Sequence, residues 1–89
     1  MEAVLSTVTG LQIRSARFAL RWSVQKLAEL SRVSTSTIKR IELEDGIPNA
    51  TPANCAALQT TLEAAGIEFI GTPDDAPGIR IHPPRSLAG

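Results

Sequence analysis

Residues 23–42, SVQKLAELSRVSTSTIKRIE, hold two short amphipathic runs with almost nothing between them, and that brevity limits the folds open to the whole chain. In the first run Ser23 offers a hydroxyl as N-cap, and Leu27, Ala28 and Leu30 form an apolar face. In the second, Ser34 is the cap and Ile38 and Ile41 recur at helical spacing. Only Arg32 and Val33 separate the end of one run from the cap of the next. Helices joined this closely must cross steeply, which predicts Val33 pinned in the corner and the small Ala28 where the axes approach. Helices are expected over residues 24–31 and 35–43.

The flanks supply what could hold such a corner rigid. With 89 residues the chain suits one domain with a modest core, too small to add a catalytic domain of ordinary size. Its aromatics are only Phe18, Trp22 and Phe69, so the core must be built from Leu, Ile, Val and Ala. Thr9 and Gln12 fit a capping box, predicting a helix over 10–21 whose inward stripe is Ile13, Ala16, Arg17 and Leu20. Trp22, between the first and second helices, reads as a packing wedge. After a turn-rich stretch at 44–51, Thr51 and Pro52 start a helix over 52–65, with Gly66 as its left-handed stop. The stripe of that helix is Cys55, Leu58, Leu62 and Ala65, so Cys55 reads as a small buried hydrophobe.

Beyond Gly66 the period shortens to two. Residues 67–70 and 79–82 alternate and are joined by GTPDDAPG, which predicts an antiparallel hairpin. A lone hairpin is marginal in water, so it must pack on the helices, pair with a second copy, or both. The expected fold is mostly α. A loosely ordered arm at 1–8 leads into a four-helix domain over 9–66, followed by a hairpin over 67–82 and a disordered tail at 83–89.

Leu27-Ala28, Val33-Ser34, Ile38, Ile41 and Glu42, in this register, resemble the helix-turn-helix of the phage repressor/Cro-like (XRE-type) family of DNA-binding regulators. The resemblance implies that the helix after Ser34 enters the major groove while the preceding one crosses the backbone. Arg17 would be a cation on a core stripe, a costly placement unless paired. The resemblance implies a buried, bidentate bridge from Arg17 to Glu42. On the reading helix Ile38 and Ile41 face inward, leaving Thr35, Ser36, Lys39 and Arg40 as candidate base contacts. Arg40 is placed to read guanine, and Lys39 also serves phosphate. Gln25, Lys26 and Thr37 are the candidate phosphate contacts. The loop at 44–51 would follow the DNA backbone through amides near Gly46 and Asn49. Two positions depart from the family pattern. Val24 stands where glutamine is common, and Arg32 stands where the left-handed turn often has glycine, at a cost of about 1 kcal/mol.

The formal net charge is zero, yet the charges are segregated. From Gln12 to Ile41 seven cations (Arg14, Arg17, Arg21, Lys26, Arg32, Lys39, Arg40) accompany one acid, Glu29. From Glu42 to Gly78 there are seven acids and no Lys or Arg. A basic first half suits a DNA-facing surface, and an acidic second half suits self-association; ordinary solvated helix faces are the plain alternative. The expectation is a sequence-specific regulator, a dimeric repressor on double-stranded DNA, with the hairpin and the fourth helix as the homodimer interface.

An alternative from a different class is an antitoxin-like or adaptor module whose acidic half binds a toxin-like protein partner, with DNA binding secondary. No catalytic Ser/His/Asp set, metal-ligand cluster or phosphate loop is apparent, so no enzyme activity, metal or cofactor is expected. His82 reads as a surface residue. A single cysteine, no span-length apolar run and no leader pattern point to a cytoplasmic location.

Overall fold

In the computed structural model, which describes residues 8–83, four helices are followed by a two-stranded antiparallel sheet. The helices are α1 (Gly10–Ala19), α2 (Val24–Ser31), α3 (Thr35–Glu42) and α4 (Pro52–Ala64); the strands are β1 (Ile67–Thr72) and β2 (Asp75–Ile81). Most of the arm expected at 1–8 and of the tail expected at 83–89 lies outside the described residues. Val8, expected in the arm, is instead buried in the core.

Every helix begins where a hydroxyl can cap it. Thr9, Ser23, Ser34 and Thr51 accept from the backbone N–H groups of Gln12, Lys26, Thr37 and Asn54 at 2.9–3.2 Å. Such a cap contributes about 1 kcal/mol relative to alanine. Helix α1 stops two residues short of the expected Arg21. Arg21 adopts φ 60°, its N–H donates to Phe18 O at 2.9 Å, and the Trp22 N–H donates to Arg17 O at 3.1 Å. That is a Schellman closure built on arginine rather than glycine. The C-terminal caps Leu43 and Ala65 end α3 and α4 one residue before the expected 43 and 65. Arg32 takes the left-handed conformation at φ 66° that turns α2 into α3.

The core is aliphatic: Val8, Ile13, Ala16, Leu27, Val33, Ile38, Ile41, Leu58, Leu62 and Ile67 are buried, with Trp22, Ala28, Cys55, Phe69 and Ile79 packed against them. Val33 therefore fills the corner, and Ile38 and Ile41 form the underside of α3. The hairpin lays one face on this core, since Ile67 and the facing pair Phe69 and Ile79 point inward. Its ladder runs further than the alternating segments 67–70 and 79–82 suggested. Thr72 pairs with Asp75, leaving a two-residue turn at Pro73-Asp74. Gly71 at φ 76° and Ala76 at φ 54° absorb an irregularity after Ile70, so the proline- and glycine-rich stretch is accommodated inside the ladder. The strand ends at Ile81, and the His82 N–H closes onto Gly66 O at 2.8 Å.

Candidate nucleic-acid interface

Helix α3 is anchored by its last residue. The Glu42 carboxylate accepts from Arg17 Nε at 2.7 Å and from Arg17 Nη2 at 2.8 Å, with side-chain exposures of 10% for Arg17 and 8% for Glu42. Arg17 Nη1 donates to Trp22 O at 2.9 Å, and the guanidinium lies 4.7 Å from the centre of the Phe18 ring. The hydrogen bond to Glu42 raises the Arg17 pKa against the opposing pull of burial, so the buried cation stays charged. Arg17 and Glu42 thus form a bidentate clamp between α1 and the end of α3.

Arg14, one turn earlier on α1, adds a second hold that the sequence reading missed. Its Nη1 donates to Glu42 O at 2.6 Å and its Nη2 to Asp45 Oδ1 at 3.3 Å. A cation at the carbonyl end of α3 also complements the helix dipole. The placement of Arg14 and Arg17 three apart on one helix face was the available hint. A third hold is steric. Gly10 donates its N–H to Gly46 O at 2.9 Å, and a β-carbon at Gly10 would run into the carbonyl oxygens of Ile41 and Glu44. Gly46 therefore serves the internal anchoring of the loop through its carbonyl.

With its underside fixed, α3 turns the opposite face outward. Thr35, Ser36, Lys39 and Arg40 are exposed and lie together on that face. Ser36 Oγ is 3.3 Å from Ser34 Oγ, and Ser34 Oγ donates to Thr37 Oγ1 at 2.9 Å, so hydroxyls at the helix start brace one another. Thr37 is half-buried, with its hydroxyl oxygen already accepting one bond. On α2, Gln25 and Lys26 are exposed. An open groove of about 440 Å³ separates the two helices, lined by Gln25, Ala28, Glu29, Arg32, Val33, Ser34 and Thr35.

The segregated charge is thus divided in use. Arg14 and Arg17 are spent on internal pairs, whereas Arg21, Lys26, Arg32, Lys39 and Arg40 are exposed and make no salt bridge among the described residues. Glu29 is the one carboxylate that lines the groove between α2 and α3. The remaining expected features lie apart from this face. Cys55 is half-buried on α4, and desolvation pushes its thiol pKa up. His82 is exposed, with Nε2 2.7 Å from Glu68 Oε1, and Arg80 joins the same carboxylate at 3.2 Å. Among the described residues no group of three or more His, Cys, Asp or Glu is placed to hold a metal ion. No helix among them is long and apolar enough to cross a membrane.

Comparison with known proteins finds no family model that matches this chain and no curated protein similar to it.

Proposed function

We propose that this chain is a sequence-specific DNA-binding regulator of the phage repressor/Cro-like kind, a homodimer that reads the major groove with α3. The supporting observation is the outward face of α3, where Lys39 and Arg40 stand exposed without salt bridges among the described residues while Ile38, Ile41 and Glu42 hold the helix from beneath. A helix with its side chains is about 10–12 Å across, which suits the major groove of about 12 Å, and the eight residues of α3 give slightly more than two turns to lie in it. The planar fork of Arg40 addresses two guanine acceptors, and the short Thr35 and Ser36 let the helix approach base edges closely. Lys26 and Gln25 on α2 take phosphate, together with Lys39 and the free proton of Thr37. The hairpin and α4 pair the two copies.

Selection of random duplexes with the purified protein tests this reading. The expected outcome is a palindrome with half-sites about 34 Å apart. Arg40→Ala should relax preference at one base position at a cost of about 1–3 kcal/mol. Lys26→Ala should weaken binding to all sequences and lower the salt slope by about one. Recovery of no enriched sequence, or equal loss of specific and random binding in both variants, would refute the assignment.

A further inference from the structure

Gln12 is 3% exposed, and both ends of its amide are committed. Its Oε1 accepts from the Thr9 N–H at 2.8 Å and from the Thr9 hydroxyl at 3.2 Å. Its Nε2 donates to Ile70 O at 3.1 Å and to Gly78 O at 2.8 Å, residues that face each other across the hairpin beside its irregularity. The acceptor half completes the capping box of α1. A capping box needs no more than that acceptor, and glutamate serves it as well as glutamine. The donor half is therefore explained by the hairpin rather than by the helix.

At the other side of α1, Arg17, Arg14 and Gly10 hold the end of α3 and the loop after it. A continuous series of hydrogen bonds thus runs from the hairpin through Gln12 and α1 to α3. In a two-fold dimer the distance between the reading helices is set by whatever fixes each of them to the interface. We infer that Gln12 is a positioning residue: it sets the hairpin against α1 and thereby the separation of the two α3 helices when copies pair through the hairpin. This rests on the dimeric DNA-binding reading above. Without the Gln12 bonds the hairpin is held against α1 by apolar packing alone and can shift, and the dimer then accepts half-sites at several separations.

Gln12→Glu isolates the role. It keeps an acceptor for Thr9, removes the Nε2 donor and sets a carboxylate oxygen against two carbonyls. The full chain is tested on its selected operator and on duplexes whose half-sites are moved apart or together one base pair at a time. Wild type should prefer one spacing about tenfold or more, and Gln12→Glu should bind neighbouring spacings within about threefold while keeping the same base preferences in each half-site. Hydrogen exchange should quicken across residues 67–81 with α2 and α3 unchanged. If Gln12→Glu does not fold, Gln12→Met, which removes donor and acceptor together, is carried through the same series beside Thr9→Ala, which disturbs the cap alone and should keep the wild-type spacing preference.

An unchanged spacing preference in the variant overturns the positioning role, and so does loss of protection spread equally over α2 and α3. If wild type itself enriches no sequence, the DNA-binding reading fails and this role falls with it. That outcome is distinct from a wild type that selects an operator and a variant that matches it.

Discussion

Removing one partner of the Arg17–Glu42 clamp should come close to unfolding the protein. Glu42→Ala leaves a guanidinium that is 10% exposed with Nε and Nη2 unpaired, while Nη1 remains on Trp22 O. Breaking a buried ion pair from one side costs about 3–5 kcal/mol, a large share of the roughly 5–15 kcal/mol that holds a domain folded. For a domain of this size each kcal/mol moves the melting temperature by about 4–8 °C, so a fall of at least about 12 °C is expected. The double variant Arg17→Met with Glu42→Leu removes both charges and fills similar volume. Its cost should shrink to about 1 kcal/mol, chiefly for the Trp22 carbonyl that loses its donor. Thermal and urea unfolding followed by helix circular dichroism measures the Glu42→Ala loss directly, and the same assay on wild type, Arg17→Met, Glu42→Leu and the double variant measures the coupling. A loss below about 1 kcal/mol for Glu42→Ala would mean that the pair behaves like a solvated surface bridge, and the burial argument would be refuted.

Gly10→Ala should destabilise by about 1–3 kcal/mol in the same unfolding assay, because backbone carbonyls rather than flexible side chains stand where the methyl would go; a neutral result would show that α1 can shift away from the α3 end freely. The Glu68 carboxyl is held below its ordinary value first by the hydrogen bond with His82, with desolvation opposing and the Arg80 charge adding. A depressed carboxylate contributes above its unfolded pKa and loses that contribution as pH falls through its folded one, so this contact should survive into the ordinary carboxylate range and fail below it. Carboxyl-detected NMR should show the Glu68 midpoint rising in His82→Ala; no movement would remove His82 as the cause. Burial raises the Cys55 thiol pKa, so alkylation at mildly alkaline pH should be slower in the native protein than in the urea-unfolded chain. Equal rates would contradict the packing of Cys55 against the core.

What could be read from the sequence is local. Ser23, Ser34 and Thr51 announce their helices because a cap and its partner lie three residues apart, and the Thr9–Gln12 box works the same way. The inward Ile38 and Ile41, and with them the outward face of α3, follow from periodicity alone. The Arg17–Glu42 clamp came through the resemblance together with the oddity of a cation on a core stripe. The long-range devices had no such marker. The bonds from Gln12 to the hairpin span 58 and 66 residues, and nothing near Gln12 distinguishes a bridging amide from a simple capping one. The early stop of α1 was hidden because arginine rarely takes positive φ, so Arg21 looks like a helix former. The full length of the hairpin is hidden for a related reason: glycine and proline mark turns and bulges alike, and only pairing across the strands tells them apart.

Glu42 meets α1 twice, through its carboxylate to Arg17 and through its carbonyl to Arg14, which prevents α3 from rolling about its own axis as well as from sliding. The residues that achieve this share no hydrogen bonds with the exposed Thr35, Lys39 and Arg40. Side chains at those three positions can therefore be exchanged for other polar, uncharged or basic ones with stability changes within about 0.5 kcal/mol. The outer surface of this helix is open to rapid diversification while the scaffold beneath it stays constant.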